Sequence, residues 1–319
     1  MHIPQFLKLF KRANRDAGWF CITLGVHGAH FVRMKRAGAQ VQVTMCAYYP
    51  MEKVTSAALE KVVKELRLGT FHFTTLLAPD EYQILMVDAP NVPVEELKTA
   101  IRYRIKDSLN YRVDDATVDV LQIPGNKNAA NRPQSLYAIA ASNEIIQKRI
   151  ALFEKAKINL SVIDIPEMAQ RNIAMLYETP GRGLAMLTFD ARGGMLTFTC
   201  DGELYLSRRL EITSGQLQDV NGTLQQQYFD RVELEVQRSL DYFDRQFHQI
   251  SLSRLLVCAP DGVGLLHLLS DNLGLPVEEL DLAQVMDVRA APSLLLEKEF
   301  LSEALPALGA ALRQEKRAL

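Results

Sequence analysis

The sequence predicts a mixed α/β fold made of two related halves. Two observations carry this expectation. A strand–turn–strand unit with a glycine-containing turn occurs twice, from Cys21 to Met34 around Gly25-Val26-His27-Gly28, and from Leu184 to Arg208 around Asp190-Ala191-Arg192-Gly193-Gly194. A third strand follows each unit, then helix and strand patterns in alternation. Thr179-Pro180-Gly181-Arg182-Gly183 is the clearest boundary between the halves. The 319 residues suffice for two domains or one large composite domain.

The elements follow in order. WFCITLG and AHFVRMKR read as paired strands, and AQVQVTMCAYY as a third with period-two alternation. Thr55–Leu68 is amphipathic: Ser56 suits the N-cap, Leu59, Val62, Val63 and Leu66 form the stripe, and Gly69 closes it. A strand at Tyr82–Asp88 leads through the turn Ala89–Pro93 into a helix over Val94–Leu109 and a strand over Thr117–Ile123. Pro124–Pro133 is a polar loop, and Leu136–Ala141 a strand. Asn143 caps a helix through Ala156, Leu160–Ile165 is a strand, and Pro166 opens a helix to Leu176.

In the second half, strands are expected at Leu184–Asp190, Met195–Cys200 and Glu203–Arg209, the last two joined by the hairpin signal Asp201-Gly202. Glutamine-rich Gln216–Gln227 reads as a loop before a long helix, Gln226–Phe247, with the stripe Val232, Leu234, Val236, Leu240 and Phe243. Leu252–Cys258 is a strand and Leu265–Leu273 a helix ended by Gly274-Leu275-Pro276. Residues 292–319 are helical, with Pro306 marking a break or restart.

Composition excludes several classes. With 48% hydrophobic and 23% charged residues and a net charge of −2, there is no global pull toward nucleic acid. No stretch of eighteen uncharged apolar residues is present, and the N-terminus lacks a secretory h-region. The four cysteines form no CxxC pair and read as buried thiols in a reducing compartment. His27 and His30 are close in sequence but have no cysteine or carboxylate cluster beside them, so no metal site is expected. Asp114-Asp115 suits a turn or helix start, and Gly181-Arg182-Gly183 a linker. Residues 1–18 form a basic amphipathic leader, with Phe6, Leu9 and Phe10 on one face and Lys8, Lys11 and Arg12 beside them. It suits either a helix resting on an anionic membrane surface or a frayed soluble segment.

Four stretches, in this order, resemble the PilM family of actin-like type IV pilus assembly proteins, and within it the MshI group of MSHA (mannose-sensitive haemagglutinin) pilus biogenesis. They are ILMVDAP with VEELKTAIRYRIKDSLNYRVDDATVDV; LYAIAASNEIIQKRIALFEKAKINLSVIDIPEMAQRNIAML; RVELEVQRSLDYF; and GLLHLLSDNLGLPVEEL with LGAALR. The cytoplasmic domain of the secretion protein GspL has a similar plan. The resemblance runs from Trp19 to about Arg313. It implies an actin-like (ribonuclease H-like, duplicated) two-lobed fold with an inserted α+β subdomain in the first lobe. The first lobe would cover 19–180, with the insertion at about 81–141. The second would cover 181–291, and 292–319 would return to the first lobe.

The resemblance also implies a central nucleotide cleft, and this sequence departs from it three times. The first phosphate turn of the family is Asp-Ile-Gly. Here it is Thr23-Leu24-Gly25, followed by His27, so the metal-organising carboxylate is absent. The second keeps Asp190 but places Arg192 where the close-approach glycine belongs, and Gly193 and Gly194 offer a turn shifted by one. The nucleoside loop has Ala259-Pro260 in place of paired glycines, before Gly262. The expectation is a degenerate nucleotide site without catalytic activity, ATP and Mg binding being the lesser alternative.

By the same resemblance the chain is expected on the cytoplasmic face of the bacterial inner membrane. There it would be a scaffold binding the N-terminal tail of a single-span PilN-like membrane protein beside the inserted subdomain. Arg102, Arg104 and Lys106 line that groove or form a solvated face. An ATP-dependent switch and a GspL-like secretion component are the rival readings. GspL-like proteins continue into a transmembrane segment, whereas this sequence stops at LRQEKRAL, which favours a membrane part on a separate chain.

Overall fold

The computed structural model of the chain describes residues 19–38, 40–68, 71–124, 135–259 and 263–314. The leader at 1–18, with Phe6, Lys8, Leu9, Phe10, Lys11 and Arg12, lies outside them, as do Gly69, most of the 124–133 loop, and Pro260 and Gly262.

The first half runs β1 (Trp19–Leu24), β2 (Gly28–Ala37), β3 (Gln40–Pro50), α1 (Ser56–Glu65), β4 (His72–Leu76), β5 (Tyr82–Asp88), α2 (Val94–Ile105), β6 (Ala116–Gln122), β7 (Ser135–Ser142), α3 (Asn143–Lys155), β8 (Leu160–Asp164) and α4 (Pro166–Ala174). The second half runs β9 (Gly183–Asp190), β10 (Gly193–Cys200), β11 (Glu203–Leu210), α5 (Ser214–Leu217), α6 (Gly222–Gln246), β12 (Leu252–Cys258), α7 (Val263–Asn272), β13 (Val277–Glu279), β14 (Met286–Asp287), α8 (Ser293–Leu296) and α9 (Lys298–Ala311).

Among the described residues the strands form a six-stranded sheet ordered β14-β3-β2-β1-β4-β8, a five-stranded sheet ordered β11-β10-β9-β12-β13, and a three-stranded sheet ordered β5-β7-β6. The two large sheets repeat one plan: an antiparallel hairpin and third strand, then parallel strands added beside the first. Period-two alternation sends the two faces of each sheet into different cores. Phe20 and Ile22 of β1 meet Leu59 of α1 and Phe153 of α3, while Cys21 faces the centre. Leu184 and Met186 of β9 face the same centre, while Ala185, Leu187 and Phe189 turn toward α6 and α7. Helices α4 and α9 fill that centre, sandwiched between the large sheets. The three-stranded sheet has its own small core with Ile101 and Ile105 of α2. No described helix is long and apolar enough to cross a membrane.

Several expectations need correction. Thr55, not Ser56, caps α1, accepting from the Ala58 N–H at 3.2 Å, and the chain leaves the helix at Arg67 with φ 50°. Ser142, not Asn143, caps α3. The glutamine-rich stretch is helical: Thr213 and Gln216 form a capping box on α5, and Asn221 caps α6 from Gly222 onward. On α6, Leu234 is exposed, and the buried stripe is Phe229, Val232, Val236, Ser239 and Phe243. The sequence reading missed β4, whose Thr74 and Thr75 are fully buried and spoil the apolar alternation, and the short β13 and β14. Pro306 does not break α9, which starts after Glu297 and is buried along most of its length. Packing on both sides outweighs the ~3 kcal/mol penalty of an interior proline. All four cysteines lie in strands, and burial raises their thiol pKa values, to about 12 for Cys46 and Cys258.

Candidate functional site

The second glycine turn, between β9 and β10, offers three successive backbone N–H groups, those of Ala191, Arg192 and Gly193. Each of those donors is already taken. Asp190 Oδ1 accepts from the Arg192 N–H at 2.7 Å and the Gly193 N–H at 3.1 Å. Glu303 Oε1, from α9, accepts from the Ala191 N–H at 2.8 Å. The Arg192 guanidinium folds back to within 3.5 Å of Asp190 Oδ2. Asp190 thus shapes its own turn, and Arg192 neutralises it. Burial raises the Glu303 carboxyl pKa, the Ala191 N–H pulling it back down.

The glycines of this turn have packing reasons to be glycine. A Cβ on Gly193, at φ 141°, would lie 2.8 Å from the Leu210 carbonyl oxygen, and one on Gly194 would lie 2.6 Å from the Phe189 ring. The turn borders a cavity of about 210 Å³, closed by Gln170 of α4, Arg209 of β11, and Ser302, Leu305 and Pro306 of α9.

The first turn, between β1 and β2, is closed in another way. Gly25 donates its N–H to the Gly28 carbonyl at 2.8 Å, and the Met51 N–H and Tyr48 hydroxyl both donate to the His27 carbonyl, at 2.9 and 2.8 Å. The Tyr48 ring covers Gly28 so tightly that a Cβ there would lie 2.5 Å from it. Thr23 pairs across the hairpin with His30. His30 packs between Tyr48 and Phe300 of α9, with ring centroids 4.9 and 5.9 Å away. Desolvation, then the charge of Arg192, lowers the His30 pKa to about 4. Helix α9 touches a residue beside each turn, His30 through Phe300 and Ala191 through Glu303. Ala259 follows β12 and is buried in the second core; Pro260 and Gly262 are outside the described residues.

A nucleotide's phosphates fit this cleft poorly. One turn lies under a tyrosine ring, and the backbone N–H groups of the other already donate to two carboxylates. Among the described residues no group of three or more His, Cys, Asp and Glu could hold a metal ion. Tyr48 and Glu303 had no signal in the sequence, because each is an ordinary residue of an ordinary strand or helix.

A second concavity, of about 540 Å³, opens between the inserted three-stranded sheet and the first lobe. One wall is β6, an edge of the small sheet; the other is β8, an edge of the six-stranded sheet. Between them lie Val120, Leu121, Ile146, Ile150, Val162 and Ile163. At the end of β8, Asp164 Oδ2 pairs with Arg313 Nη1, just beyond the C-terminus of α9, at 2.5 Å. Burial raises the Asp164 carboxyl pKa, and Arg313 opposes the shift.

Arg102, Arg104 and Lys106 do not line this groove. Arg102 donates to the Val113 and Asp114 carbonyls at 2.8 and 3.2 Å, and Arg104 to the Asp88 carbonyl at 2.5 Å, so both tie α2 to neighbouring turns. Lys106 is exposed. A buried clasp holds the inserted sheet to both lobes: the Tyr82 hydroxyl of β5 and the Arg209 guanidinium of β11 converge on the fully buried Glu167 of α4, the latter at 2.7 Å.

No protein-family model matches the chain, and no curated protein matches it. Solved structures do. A chain of the PilM-PilN type IV pilus biogenesis complex is similar at TM-score 0.71 and 19% identity, covering 93% of this chain and 98% of that one. A Bacteroides thetaiotaomicron protein of actin-like ATPase fold and unknown function has TM-score 0.48 and 11% identity, covering 88% and 96%. The cytoplasmic domain of EpsL, an inner-membrane component of the Vibrio cholerae type II secretion system, has TM-score 0.48 and 13% identity, covering 93% and 98%. At such identities the likeness is one of fold, and with the two duplicated sheets around α4 and α9 it makes this chain an actin-like, two-lobed α/β protein.

Proposed function

We propose that the chain is a non-catalytic scaffold of a type IV pilus assembly complex, of the MSHA type, at the inner face of the bacterial inner membrane. Its work is to hold the N-terminal tail of a single-span PilN-like partner in the groove between β6 and β8. The observation that carries the reading is the pair of free sheet edges facing one apolar groove. An extended segment entering there finds unpaired backbone N–H and C=O groups on both walls and apolar surface for alternate side chains. The likeness to a chain of the PilM-PilN complex supports the same assignment. The filled turns of the cleft support a chain that needs no nucleotide for this work.

Titration calorimetry with synthetic N-terminal tails of candidate single-span partners tests the reading, with Mg-ATP as the parallel titrant. Tail binding that Ile150→Asp weakens at least tenfold, with no heat from Mg-ATP, is the expected result. Micromolar Mg-ATP binding without tail binding would overturn it in favour of a nucleotide switch.

A further inference from the structure

We propose that residues 1–18 of this chain are an intramolecular occupant of the groove between β6 and β8, and so regulate access to it. The consequence for a partner's tail rests on the tail-binding reading above; docking of the leader itself does not. β8 pairs on one side alone, with β4. Its other edge, Leu160–Asp164, carries neither lysine nor proline, the residues that discourage a further segment from adding there. The edge of β11 shows the contrast, because Tyr137 caps it. The Tyr137 hydroxyl accepts from the Ser207 N–H at 3.2 Å and donates to the Tyr205 carbonyl at 3.3 Å. Ile150, on the groove wall, is left 39% exposed.

Placement selects the leader as the occupant. Trp19, where β1 begins, pairs with His72 of β4, and the following residue of β4, Phe73, pairs with Leu160 of β8. The leader therefore joins the fold two strand spacings, roughly 10 Å, from the bare edge. About three extended residues cover that distance, and eighteen reach at most about 60 Å. The edge itself is five residues, about 16 Å, long. Phe6, Leu7, Leu9 and Phe10 put four apolar side chains into five positions, within reach of walls made of valine, leucine and isoleucine.

Tethering sets the strength needed. A segment on a short flexible linker acts at an effective concentration on the order of millimolar. A leader with an intrinsic dissociation constant of about 100 μM is then docked in about nine tenths of the chains, and it weakens any competitor for the groove about tenfold.

The test uses the full chain, with the double variant Phe6→Asp, Phe10→Asp as its undocked form. Amide hydrogen exchange over β8 is about tenfold faster in the double variant than in wild type. A synthetic peptide of residues 1–18 binds the double variant with a dissociation constant of about 100 μM or tighter by calorimetry. It binds wild type at least tenfold more weakly, and adding Ile150→Asp to the double variant weakens it by a similar factor. A synthetic partner tail that binds wild type binds the double variant at least tenfold more tightly. Unchanged exchange over β8, or no binding of the peptide, overturns the proposal whether or not any tail binds. Protection of β8 that grows with chain concentration overturns it too, because the occupant is then the leader of a second copy. Docking of the leader with no tail bound by either chain supports the proposal and counts against the partner reading instead.

Discussion

Gly309 is where the fold has least room. It lies on α9 at the crossing with α4. A Cβ there would run into the Ala169 carbonyl, 2.5 Å from its carbon and 2.9 Å from the Ala169 Cα. The obstacle is backbone, so no rotamer change relieves it, and α4 and α9 must part by about 1 Å to restore ordinary contact. Overpacking of this kind costs about 1–3 kcal/mol. Parting the helices also strains the 2.9 Å bond from Asn172 Nδ2 to the Gly309 carbonyl; a buried amide left without its acceptor adds about 1–3 kcal/mol. The better helix propensity of alanine returns up to about 1 kcal/mol. Gly309→Ala is therefore expected to destabilise the protein by about 1–6 kcal/mol. In a chain of this size that lowers the thermal midpoint by roughly 2–9 °C. Urea unfolding followed by circular dichroism gives the free energy directly. A Gly309→Ala protein as stable as wild type, or more so, would refute the proposed close crossing. The same shift moves Glu303 of α9, which reaches the second turn, and Arg313 just beyond the helix, which reaches the groove, so tail binding is expected to weaken with stability.

Replacing Ile150, 39% exposed on the groove wall, with Asp should weaken tail binding at least tenfold, read by calorimetry, with the unfolding midpoint nearly unchanged. Arg209→Met strands the fully buried Glu167 carboxylate and should cost about 3–5 kcal/mol in urea unfolding. Adding Glu167→Gln should recover much of that loss, and a double variant no better than the single would show that the clasp is not a charge pair. His30 has a folded pKa of about 4 against an ordinary 6.5, so the unfolded chain binds the extra proton between those values. Its contribution, on the order of 3 kcal/mol, is complete above about pH 6.5 and is lost as the pH falls toward 4. Denaturation curves at pH 7 and 4.5 should show His30→Phe losing less stability on acidification than wild type. Equal losses would remove His30 from the acid response.

Local patterns were readable from the residues alone. Strand-like runs marked β1, β2, β3 (with period-two alternation) and β9 through β12, and Asp201-Gly202, with φ 51° and 74°, made the hairpin its dipeptide announced. The duplicated hairpin-and-third-strand theme reappears in the two large sheets. Patterns failed where polarity and burial part company: in β4 with its buried threonines, in the glutamine-rich start of α6, and in α9 across Pro306. Each takes its stability from neighbours distant in sequence, and local propensity yields to such packing.

The candidate sites divide the same way. Residue types showed that the first turn lacks its acid and that the second carries an arginine. What fills those turns came only with the tertiary structure, because the fillers are remote: Tyr48 reaches back 21 residues to His27, and Glu303 reaches 112 to Ala191. The concavity between β6 and β8 was likewise beyond sequence reasoning, which left Arg102, Arg104 and Lys106 as either a groove wall or a solvated face; Arg102 and Arg104 donate to backbone carbonyls and Lys106 is exposed. A groove between two sheet edges is a property of how sheets are placed, and placement is decided by the cores under α4 and α9. The sequence by itself determined a duplicated α/β chain with two glycine-containing turns; the packing of distant segments decided which side chains close those turns and which sheet edges face the concavity between β6 and β8.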